Sequence, residues 1–239
     1  MNKYQKNIDL LKNLKKPDAI IYDWDNTLVD TWPLIHSAIN TTMQAMQQEE
    51  WSLEKVRNTV HKSMRESFPQ IFGNEWHKAG EIYKNSYQEI NLHKICLLPN
   101  SLNLLNFVHQ QKIPQFIVSN KIGQTLRKEV DYLKITNLFF SIIGAGDANY
   151  DKPNPHPVDL ALLGSDIDPQ KHQIWFVGDT IADIDCAFAT KTQGIVYGHS
   201  LNQISNTIGD NIMEHGINSS GALPLYFDHQ ELIDILKKF

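Results

Sequence analysis

Ala19-Ile20-Ile21-Tyr22-Asp23-Trp24-Asp25-Asn26-Thr27 is the stretch that decides the fold. Four apolar residues run without alternation and stop on two aspartates. An unbroken apolar run of this length fits a strand buried on both faces, as in a parallel sheet covered by helices. Similar runs recur at Phe116-Ile117-Val118, at Ile142-Ile143 flanked by Phe139 and Phe140, at Ile174-Trp175-Phe176-Val177 and at Ile195-Val196-Tyr197. A sixth runs from Leu223 to Phe227. Helical spacing lies between them: Leu102, Leu105 and Val108; Leu126, Val130 and Leu133; Val158, Ala161 and Leu162; Ile181, Ile184 and Phe188. Leu232, Ile235 and Leu236 close the chain behind Asp228, a plausible N-cap, and Ile8, Leu11 and Leu14 place a short helix before the first strand. The alternation predicts an α/β fold with an open, Rossmann-like parallel sheet between two helical layers.

One stretch breaks the alternation. Residues 32–97 hold no convincing strand run, only helix formers with turn signals near Pro69 and Gly73-Asn74. A crossover needs far fewer residues, so this segment is expected to be an inserted α-helical cap. The expected division is 1–31 and 98–239 for the catalytic core and 32–97 for the cap. Residues 199–222 are rich in Asn, Ser and Gly and receive no assignment.

Composition sets the frame. The chain has 239 residues, 41% hydrophobic, enough for a sizeable core. Its 22 Lys and Arg against 27 Asp and Glu leave a net charge of −5, which weakens any general attraction to nucleic acid or anionic membrane. No run of about 18 apolar residues appears, so no spanning helix is expected. The lysines that interrupt the first sixteen residues argue against a secretory signal, and the two cysteines, Cys96 and Cys186, form no metal or disulfide pattern. A cytoplasmic protein is expected, with both cysteines as buried apolar fillers. Oligomeric state is not legible.

Ligands of open parallel sheets bind beyond the carboxyl ends of the strands. Asp23 and Asp25, Ser119-Asn120, Lys152 and Asp179-Thr180 with Asp183 all stand at such ends. Converging carboxylates repel one another, and a hard divalent cation such as Mg2+ relieves that repulsion through oxygen ligands. Lys152 adds a fixed positive charge, and Ser119 adds a hydroxyl beside backbone N–H donors. Together these fit a phosphate dianion. Asp23, nearest the strand, is the expected nucleophile on phosphorus, and Asp25 the expected general acid and base.

The motifs Asp23-x-Asp25-x-Thr27-Leu28-Val29-Asp30-Thr31, Ser119-Asn120-Lys121, Lys152-Pro153-x-Pro155 and Gly178-Asp179-Thr180-x-x-Asp183 resemble, in order, those of the haloacid dehalogenase superfamily. The similarity is greatest to the branch with a helical cap, which includes phosphoglycolate phosphatases and β-phosphoglucomutases. The resemblance implies Mg2+-dependent hydrolysis of a small phosphorylated metabolite through an aspartyl phosphate on Asp23. It implies metal ligation by the Asp23 carboxylate, the Asp25 main-chain carbonyl and Asp179, with Asp183 near the metal. Thr27 would assist in the first loop, and Ser119, Asn120 and Lys152 would hold the phosphoryl group. A phosphomutase and a non-catalytic phosphate-binding module are the alternative readings. The family's usual Gly is Asn26 here, in a turn where Asn tolerates positive φ. Arg65 is a candidate substrate contact from the cap, against an ordinary exposed helix arginine. His36, His61 and His156 are expected at the surface or in packing.

Overall fold

The computed structural model describes residues 10–60, 62–89, 92–198 and 224–239. Six strands form one parallel sheet in the order β3-β2-β1-β4-β5-β6: β1 (Ala19–Tyr22), β2 (Gln115–Ile122), β3 (Ser141–Ala145), β4 (Ile174–Gly178), β5 (Gln193–Tyr197) and β6 (Leu225–Tyr226). Every apolar run named above lies in or overlaps a strand, although Leu223 falls outside the described residues. β1 and β4 are buried along their whole length, which explains why they read as unbroken hydrophobic runs. β1 sits between β2 and β4, with Tyr22 level with Ile117 and Val177. The strand order reverses beside β1, so its carboxyl end faces the crevice where such sheets bind ligands.

Helices α1 (Trp32–Ala45), α2 (Leu53–Thr59), α3 (Met64–Phe72) and α4 (Trp76–Glu89) follow β1 without a strand between them. Gly73, at φ +54, turns the chain from α3 toward α4. Pro69 does not mark a turn; it lies inside α3, where burial of Phe68 and Phe72 holds the helix together despite the lost N–H. Helices α5 (Ser101–Gln110), α6 (Gly123–Tyr132), α7 (His156–Leu162), α8 (Ile181–Ala189) and α9 (His229–Leu236) follow, with short 3-10 turns at Gly73–Glu75, Leu92–Lys94 and Thr136–Leu138. Asp228 caps α9 by accepting from the Gln230 N–H at 2.9 Å.

Two hydrophobic clusters lie on opposite faces of the sheet, one around Tyr22 and Trp175, the other around Ile21 and Phe176. Some single positions depart from the periodic reading. Leu102, Phe140 and Phe188 are exposed, because Leu104, the strand interior and Ala187 take the inward places instead. Cys96 is exposed rather than buried, being in a short connection between the helical segment and α5, whereas Cys186 is buried on α8. Leu11 and Leu14 are buried, and Ile8 lies outside the described residues, as do His61 and residues 199–222. Among the described residues, no helix is long and apolar enough to cross a membrane.

Candidate active site

Asp23 leaves β1 still held by the sheet, its N–H bonded to the Val177 carbonyl at 2.8 Å. The chain then turns at Asn26, whose φ of 59° is the left-handed value that the turn requires. The Asn26 side chain also accepts from the N–H groups of Thr31 (3.2 Å) and Trp32 (3.1 Å), so it secures the entry to α1. The loop thus presents Asp23 and Asp25 to different surroundings.

Asp23 faces Lys152. The Lys152 ammonium donates to Asp23 Oδ1 at 2.8 Å and to Asp183 Oδ1 at 2.5 Å, and all three side chains are buried. Asp183 Oδ2 in turn accepts from the N–H (2.9 Å) and the hydroxyl (2.7 Å) of Thr180, so this residue both caps α8 and braces the lysine. Gly178 leaves room for it, since a Cβ there would overlap the Asp183 carboxylate. The Thr27 hydroxyl donates to Asp179 Oδ1 at 3.2 Å. Carboxylate oxygens of Asp23, Asp179 and Asp183 lie within 4.8 Å of one another.

The Lys152 ammonium pairs with both Asp23 and Asp183, and the Asp179 carboxylate lies beside them. Burial pushes the Asp23 carboxyl up to about 8; Lys152 opposes the shift, while Asp183 and Asp179 reinforce it. Burial alone would pull Lys152 down, but Asp183 and Asp23 outweigh it and hold the ammonium well above the ordinary lysine value. Three carboxylates whose oxygens lie within 4.8 Å of one another offer the hard oxygen donors that a divalent cation takes.

Asp25 points elsewhere. Its Oδ1 accepts from Lys121 Nζ at 2.7 Å, and the same ammonium donates to the Tyr87 hydroxyl at 2.7 Å and meets Glu129 Oε1 at 3.1 Å. Glu129 is fully buried on α6, and its other oxygen accepts from the Trp24 indole N–H at 2.7 Å. Burial by itself would lower Lys121, but Asp25, Tyr87 and Glu129 keep it strongly protonated. Sequence patterning gave Lys121, Tyr87 and Glu129 no role. The available signal was an acid at the inward position i+3 from Leu126, on an otherwise apolar stripe.

The remaining residues of the crevice are organised by the backbone. Ser119 is buried within β2, where the pairing with β3 becomes irregular after Val118, and its Oγ accepts from the Lys121 N–H at 3.3 Å. The Asn120 amide is engaged with the Lys152 backbone, donating to its carbonyl and accepting from its N–H, both at 3.0 Å. Arg65 is neither an isolated surface arginine nor free to meet a ligand. It grips the buried Asp151 carboxylate with Nε and Nη2, the latter at 2.6 Å, and so ties α3 to the residue before Lys152. His36 packs within the helical segment against the Trp51 carbonyl at 2.9 Å, and His156 is exposed. One cavity joins these parts, bordered by Asp23, Asp25, Ser119, Lys152 and Asp179 on one side and by α1, α3 and α4 on the other.

Such a site defines a class of α/β enzymes that carry their chemistry on carboxylates at the carboxyl edge of a parallel sheet. The chain belongs to the haloacid dehalogenase-like hydrolases, whose family profile matches residues 20–197. It is similar to a phosphoglycolate phosphatase of Aquifex aeolicus, 27% identical over 186 residues, covering 76% of this chain and 85% of the relative. A pyrophosphatase of Bacillus pumilus is 26% identical over 184 residues, covering 75% and 83%. Among solved structures, a haloacid dehalogenase superfamily hydrolase of Ehrlichia chaffeensis superimposes with a TM-score of 0.61 at 26% identity, covering 95% of this chain and 98% of that one. A haloacid dehalogenase-like hydrolase of Streptococcus pneumoniae gives 0.73 at 21% identity, covering 92% and 97%, and shows the shared fold.

Proposed function

We propose that the protein is a Mg2+-dependent phosphatase that hydrolyses a small phosphomonoester through an aspartyl phosphate on Asp23. The separate environments of the two motif acids support this most directly. Asp23 sits with Lys152 and two further acids, while Asp25 is turned onto Lys121. Two carboxyl groups in different surroundings are suited to different tasks.

In the first half-reaction an Asp23 oxygen attacks phosphorus, and the bond to the leaving oxygen breaks. Asp25 gives that oxygen its proton. In the second, Asp25 takes a proton from water, water oxygen bonds to phosphorus, and the bond to Asp23 breaks, releasing phosphate. Lys152 and Ser119 hold the phosphoryl oxygens. Asn120 serves them indirectly by fixing the Lys152 backbone. Thr27 orients Asp179. The Asp23 and Asp179 carboxylates and the Asp25 carbonyl would hold Mg2+, with Asp183 near the metal and bracing Lys152. When bound, Mg2+ offsets the negative charge of acids and phosphate together. Residues 32–97 act as the cap that excludes bulk water from the crevice, and residues 1–31 with 98–239 form the core.

The test is turnover of a phosphomonoester panel by the parent protein and by Asp23→Asn. Phosphate release by the parent and none by the variant is the expected result. Equal turnover by both would remove Asp23 from the chemistry.

A further inference from the structure

The helical wall of the cavity has a chemical character of its own. From α1 it receives Trp32, Ile35 and Ile39, at the i, i+3, i+7 spacing that puts them on one face. Val60, then Met64 and Phe68 one helical turn apart on α3, extend it. Ile35, Ile39 and Phe68 are buried in the main core, but Trp32, Val60 and Met64 are only partly covered by protein. Tyr83 borders the same space, its ring edge-on to Phe68 with centroids 5.4 Å apart. The cavity has a volume of about 110 Å³ and opens to solvent, so a leaving group larger than the phosphoryl site can extend along the wall.

The lysines buried beside this wall are already paired. A leaving group that carries a carboxylate or second phosphate one or two bonds from the reacting ester needs a cation next to Asp23 and Asp25. The lysines there are Lys152, held by Asp23 and Asp183, and Lys121, held by Asp25 and Glu129. The Ser67 hydroxyl donates to the Ser63 carbonyl at 3.0 Å, within its own helix end. Of the other lysines that border the cavity, Lys62 is exposed and Lys84 pairs with Glu81 at 2.7 Å. A polyhydroxylated leaving group lying against Val60, Met64 and Phe68 would meet apolar surface where it needs hydrogen-bond partners, at a desolvation cost.

We propose that the substrate is a phosphomonoester whose leaving alcohol carries an apolar, preferably aromatic body, seated on the wall formed by Trp32, Val60, Met64 and Phe68. This rests on the phosphatase reading above and narrows its substrate class.

Steady-state kinetics on ethyl, n-butyl and 2-phenylethyl phosphate test it, since all three release a primary alcohol and differ chiefly in apolar body. 2-Phosphoglycolate and pyrophosphate are run beside them. The expected result is a kcat/KM for 2-phenylethyl phosphate at least about tenfold above that for ethyl phosphate, carried mainly by KM. Met64→Gln and Val60→Asn, each checked for an unchanged thermal melt, should shrink that ratio severalfold. Equal kcat/KM for the three esters, or preference for phosphoglycolate or pyrophosphate, would overturn the proposal. Calorimetric binding of 2-phenylethylphosphonate against ethylphosphonate separates the two levels. Tighter binding of the phenyl compound without turnover of any ester would retain the apolar site and remove the hydrolase reading. Equal binding of both phosphonates would remove the apolar site.

Discussion

Lys121→Met is the perturbation whose consequences the structure specifies most fully. The lysine side chain is 6% exposed and stands between Asp25 and the fully buried Glu129. Removing one member of a buried ion pair costs about 3–5 kcal/mol, because the partner charge stays behind without compensation. Asp25 is 20% exposed and regains some hydration at the cavity, so most of the cost falls on Glu129. A second change, Glu129→Gln, removes that stranded charge yet keeps an oxygen for the Trp24 indole N–H, bonded now at 2.7 Å. Urea denaturation should place Lys121→Met about 3 kcal/mol below the parent and return the double variant to within about 1–2 kcal/mol of it. Activity should behave differently. Asp25 loses its tether in both variants, so kcat should fall about 100-fold in both. Recovery of stability without recovery of kcat is the distinguishing pattern. A single variant within about 1 kcal/mol of the parent, or a double variant less stable than the single, would refute the ion-chain reasoning.

Other consequences are open to direct measurement. Burial holds His229 down to about 4 from 6.5, with its Nε2 2.8 Å from the Thr27 carbonyl. The unfolded chain therefore binds the extra proton first, so this stabilisation is full above 6.5 and is lost as pH falls toward about 4. It amounts to about 2 kcal/mol by about pH 5, and the difference in urea stability between parent and His229→Gln should shrink by that amount on acidification; a pH-independent difference would contradict the buried neutral histidine. Arg65→Ala leaves the buried Asp151 without its guanidinium partner and should cost about 1–3 kcal/mol by chemical denaturation, whereas a merely exposed arginine would cost almost nothing. Chelation should abolish phosphate release and added Mg2+ should restore it; full activity in chelator would contradict the metal site.

The sheet was legible because its central strands β1 and β4 are buried along their whole length and so spell continuous apolar runs. The principal acids were legible because strand ends are where an open sheet can present them. Contacts between distant segments were not. Arg65 and Asp151 are 86 positions apart, and no local pattern on either helix or loop announces the pair. Glu129 read as one more helix acid because its partners, Trp24 and Lys121, arrive from two different strand ends. Asn120 was legible as a residue at the crevice but its contact was not, since only the folded loop brings its amide against the Lys152 backbone. Cys96 and Leu102 show the opposite failure: apolar character suggested burial, and neighbouring residues filled the core instead.

Acid-quenched turnover followed by peptide mass spectrometry addresses the covalent step on Asp23 directly. One phosphoryl group is expected on Asp23 in the parent and none in Asp23→Asn. Steady turnover with no phosphorylated aspartate, or with the phosphoryl group on Asp25 or on a histidine, would contradict it.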